Sequence, residues 1–153
     1  MRAICQYLQM DGEMDEAQLE ARELLEICPN WWLAHYQAGH ICSIKGEYNE
    51  AIRYFSGAAA LRGDKAVTYL ALACMYSRTR QYKEAIDQLS KVESNDGLVK
   101  SYGYLETWKI WDDEDFNNIK EEPEYKELFF SVVQKIEDNV QNKKMQMPFS
   151  VGG

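Results

Sequence analysis

A period of 34 residues is the feature of this sequence that most constrains its fold. Ala17, Ala51 and Ala85 stand at that spacing, and a glutamate directly precedes each of them. Residue types that end helices recur in the same register at Pro29, Gly63 and Gly97. A fixed period of this length, with a small residue at one position and a helix breaker at another, is typical of stacked helical hairpins. The sequence therefore predicts an all-α repeat protein.

Each copy of the repeat reads as two amphipathic helices. In the first helix of the second copy, side chains recur at spacings of three or four residues: Leu33, Tyr36, His40 and Ile44. Gly46 follows, where a left-handed backbone would end that helix. The repeated alanines would let paired helices approach closely, and a bulky side chain there would cost about 1–3 kcal/mol by overpacking. Asn30 and Asp64 are predicted to cap the first helices of copies two and three.

These positions resemble the tetratricopeptide repeat, whose pattern asks for Trp, Leu, Gly and Tyr on the first helix and Ala, Phe, Ala and Pro on the second. Copy two supplies Gly39, Ala51, Phe55 and Ala58. Copy three supplies Leu72, Tyr76 and Ala85, and copy one supplies Ala17 and Pro29. The pattern is degenerate, but three copies in one register make chance agreement improbable.

The resemblance implies an all-α, right-handed superhelical array of antiparallel helix hairpins, which is an α-solenoid. Repeats are expected at residues 1–29, 30–63 and 64–97, with capping helices at about 98–141 that complete one domain over 1–141. A helix is predicted at 98–111, and Pro123 is expected to begin a last helix that ends near Val140. A cap is needed because the last repeat would otherwise expose an apolar face. Residues 142–153 are expected to form a disordered tail or linker.

The cap itself is similar to the segment that closes many bacterial tetratricopeptide arrays. The similarity rests on Asp115-Phe116, Ile119, Pro123, Tyr125 and Leu128. The acidic run 112–115 in front of it lacks the alternating ligands of a calcium loop. We expect this run to be a solvated turn, with contact to a basic partner as the alternative.

Charge and composition exclude several classes of function. The formal charge of −8 disfavours nucleic acid and anionic membranes as partners, because phosphate binding needs a basic surface. The chain shows neither a signal-peptide core nor an apolar stretch of membrane-spanning length. Its four cysteines are too far apart for a zinc site or a redox pair, so they are expected to be reduced, small hydrophobic residues. We therefore expect a cytoplasmic protein with no metal and no cofactor.

Catalysis has little support in the sequence. His35 and His40 are five residues apart, so they cannot share a metal on one helix face. His40 and Cys74 occupy equivalent positions in consecutive repeats, but a dyad needs an orienting group and an oxyanion site that no motif supplies. We expect both to line a groove.

The resemblance also implies where a partner would bind. In this family the first helices line a concave groove that holds an extended peptide or a partner helix. Carried over residue by residue, the groove comprises Arg2, Gln6, Leu33, Tyr36, Gln37, His40, Ile44, Val67, Leu70, Cys74 and Arg78. The two-carboxylate clamp that holds chaperone C-termini is disfavoured, because His40 replaces an asparagine and Val67 and Ala71 replace basic residues.

The sequence thus predicts a non-catalytic module that binds a protein or peptide partner through an apolar or aromatic segment. Self-association into a homo-oligomer is one alternative, through exposed aromatic faces at Trp31, Trp32, Trp108 and Trp111. The other alternative is an enzyme, either through His40 and Cys74 or as the regulatory part of a larger enzyme.

Overall fold

Helices account for nearly all of the described part of the chain, residues 14–93, 110 and 113–145 of a computed structural model. The α-helices of this part are α1 (Met14–Ile27), α2 (Trp32–Ile44), α3 (Tyr48–Leu61), α4 (Ala66–Arg78), α5 (Tyr82–Glu93), α6 (Asn117–Lys120) and α7 (Pro123–Met145). A single turn of 3-10 helix spans Glu114–Phe116, directly before α6. The all-α prediction is confirmed.

Some predictions fall outside the described residues. These are the first helix of copy one with Arg2 and Gln6, the helix at 98–111 apart from the helical Ile110, and the residues after 145. The same holds for Cys5, Trp108 and Trp111.

The chain divides into two compact units between Gly63 and Asp64, which is where the second predicted repeat ends. The first unit contains the hairpin of α2 and α3, with α1 packed against α2. The second contains the hairpin of α4 and α5, with α7 packed against α5 and the 3-10 helix packed against α4. The hairpins predicted for copies two and three are confirmed, while a single domain over residues 1–141 stays a prediction.

Small residues permit close helix packing where the repeat predicted it. Ala17, Ala51 and Ala85 are each at most 1% exposed. A Cβ atom added at Gly39 of α2 would lie 2.9 Å from Cδ1 and Cε1 of Phe55 on α3. Since real Cβ atoms essentially never come within 3.0 Å of such neighbours, this position requires glycine as long as the phenylalanine ring stays where it is.

A polar network ties α1 to the turn between α2 and α3. The buried Gln18 side chain donates from Nε2 to Glu47 Oε1 at 2.9 Å, and its Oε1 accepts from Lys45 Nζ at 2.8 Å. Lys45 Nζ also lies 2.6 Å from Asp15 Oδ1, and this hydrogen bond lowers the pKa of Asp15 and raises that of Lys45. Burying an amide is costly unless it is hydrogen-bonded, so this network explains how Gln18 is tolerated beside Ala17.

The turns between paired helices contain a residue with left-handed backbone, as the sequence predicted at Gly46. Its φ is +81°, and Arg80, at the equivalent position of copy three, has a φ of 63°. The register therefore fixes the backbone conformation at this position even where the residue is not glycine. Arginine carries a Cβ that disfavours this region by about 1–2 kcal/mol, which the neighbouring helices must offset.

The N-cap residues lie one position after the predicted ones. Helices α2 and α4 begin two residues after Asn30 and Asp64, and their N-cap residues are Trp31 and Lys65, neither of which makes a side-chain cap hydrogen bond. Backbone hydrogen bonds close the first turns, from Ala34 N–H to Trp31 O at 3.1 Å and from Thr68 N–H to Lys65 O at 3.0 Å. The residue type was right for a cap, but the turn before each helix places it one position too early.

The last helix begins at Pro123, as predicted, but continues to Met145 rather than ending near Val140. Residues 142–145, which we expected in the tail, are therefore helical. The apolar period fades after Ile136, yet the sequence that follows contains good helix formers and neither glycine nor proline. An apolar period predicts which face of a helix is buried, but it does not show where the helix ends.

The cysteines in the described residues, Cys28, Cys42 and Cys74, are free thiols, and the last two are buried. Across the described ranges, no helix is both long enough and apolar enough to cross a bilayer. The cytoplasmic location stays a prediction.

Candidate functional site

The predicted groove residues of α2 differ widely in exposure. His40 and Ile44 are exposed, the latter at 45%, and they stand one turn apart on the helix. Leu33 is partly buried, and Gln37 is 4% exposed. In this unit, a partner can therefore reach His40 and Ile44 directly, whereas Gln37 is part of the interior.

Tyr36 belongs as much to the hairpin as to any binding face. Its ring centroid lies 5.4 Å from that of Phe55 and 5.9 Å from that of Trp32, both in tilted geometry. Tilted aromatic pairs at these distances contribute about 0.5–1.5 kcal/mol beyond the area they bury. Replacing Tyr36 would therefore disturb the pairing of α2 with α3 as well as any partner contact.

On α4, each of the predicted groove residues is partly or largely buried. Val67 and Leu70 are partly buried, and Cys74 is 8% exposed. The Arg78 side chain is 31% exposed. What covers this end of the helix is the 3-10 turn of the chain's own capping segment.

The guanidinium of Arg78 is held by carboxylates of that segment. Its Nε donates to Asp115 Oδ1 at 2.5 Å, and its Nη2 lies 3.7 Å from Glu114 Oε1. The Asp115 side chain is 25% exposed, so this pair is partly shielded from water, while Glu114 is 81% exposed. Charge-assisted hydrogen bonds of this kind are about twice as strong as neutral ones.

A third carboxylate, that of Asp113, completes the cluster. Asp113 Oδ1 accepts a hydrogen bond from the Asp115 backbone N–H at 2.9 Å and so caps the 3-10 turn. Burial raises the pKa of Asp113 above its ordinary value, and the neighbouring charge of Asp115 adds to that increase. The prediction of a solvated acidic turn is therefore wrong for Asp113 and Asp115. The basic group they meet, Arg78, lies within the same chain.

Cys74 lies beneath these carboxylates. Its Sγ and one carboxylate oxygen from each of Asp113 and Asp115 all lie within 4.8 Å of one another. These are residue types that can bind a metal, but Arg78 already supplies positive charge at Asp115. Burial raises the pKa of the Cys74 thiol well above its ordinary value, with Asp115 and Asp113 adding to the effect. A nucleophilic cysteine needs the opposite shift, so this environment disfavours a thiolate.

We expect the Asp113→Asn variant to be more stable than the parent protein at neutral pH. Because the pKa of Asp113 is raised in the folded protein, folding takes up a proton at this group. The free energy of unfolding therefore falls as the pH rises from the pKa of Asp113 in the unfolded chain through its pKa in the folded protein. Asparagine keeps the capping oxygen. The gain in the free energy of unfolding should reach at most about 1 kcal/mol at neutral pH, because Asp113 is only partly buried, and it should vanish below about pH 4.

Urea denaturation of both proteins over this pH range measures the difference. Glu114→Gln, which removes an exposed neighbouring carboxylate, is the control for simple loss of negative charge. Parallel pH profiles for the parent and Asp113→Asn would show that burial of Asp113 has no energetic consequence.

His35 has a structural role. Its Nε2 lies 2.8 Å from the carbonyl oxygen of Pro29. A Cβ atom added at Gly57 would lie 2.9 Å from its Nδ1, so α3 passes close to the ring. His35 therefore fastens the turn before α2 to the hairpin.

The hairpins and the buried small residues define a helical-repeat protein. Residues 34–65 match the family model of the tetratricopeptide repeat. A search of curated proteins finds no match. Among solved structures, the crystal structure of MamA has a TM-score of 0.56 and 16% sequence identity, and the alignment covers 92% of this chain and 96% of that one.

These similarities have a limited meaning for function. The MamA likeness shows that the fold is shared. The tetratricopeptide match supports a protein-interaction scaffold as the general class.

The sequence predicted this class and most of the hairpin core, but it missed Asp113 and Asp115 as partners of the groove residues on α4. The cap motif that begins at Asp115 was the signal that could have placed them, since a cap must pack on the last repeat.

Proposed function

We propose that this protein is a non-catalytic interaction module that binds a segment of a protein partner through the predicted groove residues of its first helices. The observation that carries the proposal is the exposed pair His40 and Ile44 on α2, within the residues that match the repeat. An isoleucine exposed at 45% beside a histidine offers apolar contact with a hydrogen-bonding group next to it.

The proposed partner segment is apolar or aromatic. Ile44 has the exposed area to act as an anchor, and binding energy in such interfaces is concentrated in a few residues. Leu33 offers further apolar surface on the same helix and is partly buried. The net charge of −8 favours neutral or basic partners over acidic ones.

The test is partner capture from a cell lysate with the parent chain and the Ile44→Glu variant. A glutamate at this position would have to be desolvated against an apolar partner segment, so we expect the bound protein to be lost. The fold should be unaffected because Ile44 is exposed at the end of α2.

The matched control is Leu19→Glu, which makes the same kind of change on α1, outside the predicted groove, at a side chain that is 56% exposed. A partner retained by Leu19→Glu and lost by Ile44→Glu supports the proposal. Equal loss with both variants would point to general hydrophobic adhesion, and retention with both would exclude the α2 face.

Self-association is the second candidate, and exposed apolar residues around the turn between α1 and α2 favour it. Ile27 is 76% exposed and Trp31 is 40% exposed. If this surface pairs two copies, the sedimentation coefficient will rise with protein concentration, and Trp31→Glu will abolish the rise.

A further inference from the structure

The charge balance around Arg78 bears on which segments the proposed groove can accept. Among the described residues around this guanidinium, Asp115 lies at 2.5 Å, Glu114 lies at 3.7 Å, and Asp113 lies beside Asp115. Three carboxylates of the described residues therefore lie at or beside this one guanidinium. Arg78 is the cationic residue among the described groove positions, so this balance decides how α4 receives a charged segment.

A carboxylate that approaches this end of α4 meets two unfavourable interactions. It must either displace Asp115 from a short charge-assisted hydrogen bond or lie close to the like charges of Asp113 and Asp115. Both aspartates are partly buried, and Coulomb repulsion is stronger where water is partly excluded. Like charges brought together at an interface suppress wrong partners in this way.

The acidic segment is held firmly in place. Phe116, the residue after Asp115, is fully buried, and its ring centroid lies 5.0 Å from that of Phe129 on α7. Ile119, one turn further along, is also fully buried. This apolar anchor fixes the backbone at Asp115, so an incoming carboxylate can displace Asp115 only by breaking its hydrogen bond to Arg78 through rotation of one of the two side chains.

We propose that Asp115 is a specificity-determining residue that excludes carboxylate-bearing segments from the predicted binding face of α4. The partner segment then lacks aspartate and glutamate where it passes Arg78. This inference rests on the proposed binding function and adds the chemical class of the partner.

A displayed library of random peptides tests the inference without a known ligand. We would select peptides on the parent protein and on Asp115→Asn, and compare the frequency of aspartate and glutamate in the enriched sequences. The asparagine side chain has the same size and keeps an oxygen that can accept from Arg78, but carries no charge. We expect acidic residues to be depleted with the parent and about fivefold more frequent with the variant.

Glu114→Gln is the matched control, because it removes a carboxylate of the same cluster that is 81% exposed. Its selected peptides should resemble those of the parent.

If Asp115→Asn fails to fold, a second measurement uses the parent alone. Glutamine-to-glutamate substitutions along one selected peptide should weaken its binding about fivefold at one or two adjacent positions and little elsewhere.

The outcomes separate the inference from the function on which it rests. The specificity role of Asp115 is excluded if the parent and Asp115→Asn enrich peptides with the same acidic content. It is also excluded if Glu114→Gln changes the acidic content as much as Asp115→Asn does. In both cases the binding function stands. If the parent enriches no peptides over an Ile44→Glu background, the binding function fails and the specificity role fails with it.

Discussion

Replacing Phe129 by alanine is expected to lower the free energy of unfolding by about 3–5 kcal/mol. Phe129 lies on α7, is fully buried, and packs its ring against that of Phe116 in the capping segment. The substitution removes this aromatic contact and leaves a cavity next to another fully buried aromatic side chain. Because a protein of this size has a total stability of only about 5–15 kcal/mol, the loss is large.

The neighbouring residue supplies the control. Phe130 has the same side chain on the same helix but is 50% exposed, so Phe130→Ala should cost at most about 1 kcal/mol. Urea denaturation followed by circular dichroism measures both variants. Similar losses for the two substitutions would contradict the placement of α7, because a rotation of the helix would exchange their environments.

The second large effect is expected at Gly39, where valine should cost about 2–3 kcal/mol by overpacking. A Cβ atom there would meet two ring carbons of Phe55 at 2.9 Å, and Phe55 is 2% exposed and so has little room to move. Helix propensity acts in the opposite direction, because most residues are better helix formers than glycine. The expected loss therefore measures the contact between α2 and α3.

A partner substitution should recover part of the loss. In copy three, the positions equivalent to Gly39 and Phe55 hold Ala73 and Leu89, so the sequence itself pairs a larger residue on one helix with a smaller one on the other. We expect Phe55→Leu to destabilise the parent protein but to be less harmful in the Gly39→Val background. Residues in direct contact commonly show coupling of about 0.5–3 kcal/mol.

Gly57→Val is the matched control for Gly39→Val. The Cβ distance is also 2.9 Å, but the obstructing atom is Nδ1 of the partly buried His35, which can rotate away. The cost should stay below about 1 kcal/mol, which is the value of the hydrogen bond to Pro29 that rotation would break. Two results would show that the ring of Phe55 does not limit the approach of the helices. One is an equal loss of stability at the two glycines, and the other is additivity of Gly39→Val and Phe55→Leu.

Much of the hairpin architecture was predictable because it depends on local periodicity. The alanines at 17, 51 and 85 are buried where the register put them, and Gly46 and Arg80 share a left-handed backbone. The sequence was less informative about helix ends. The polar residues Asn30 and Asp64 were predicted as N-caps, yet the N-cap residues are Trp31 and Lys65, whose carbonyl oxygens accept backbone hydrogen bonds that close those turns.

The candidate site was predictable only as a set of helix positions. Periodicity identifies a face of α2 or α4, but exposure within that face depends on what packs there. Ile44 is left exposed, whereas Gln37 is buried although both were assigned to the groove. The groove assignment itself stays a prediction, and the substitutions at Ile44 and Leu19 are its test.

The sequence by itself determined that this protein is built from helical hairpins, because small, apolar and turn-forming residues recur along the chain with a period of 34 residues. Only the tertiary structure decided that Arg78 is paired with Asp115, a residue 37 positions further along. Local pattern specifies which face of a helix is apolar. Which charges meet across that face depends on how distant segments pack, and a one-dimensional period carries no information about that.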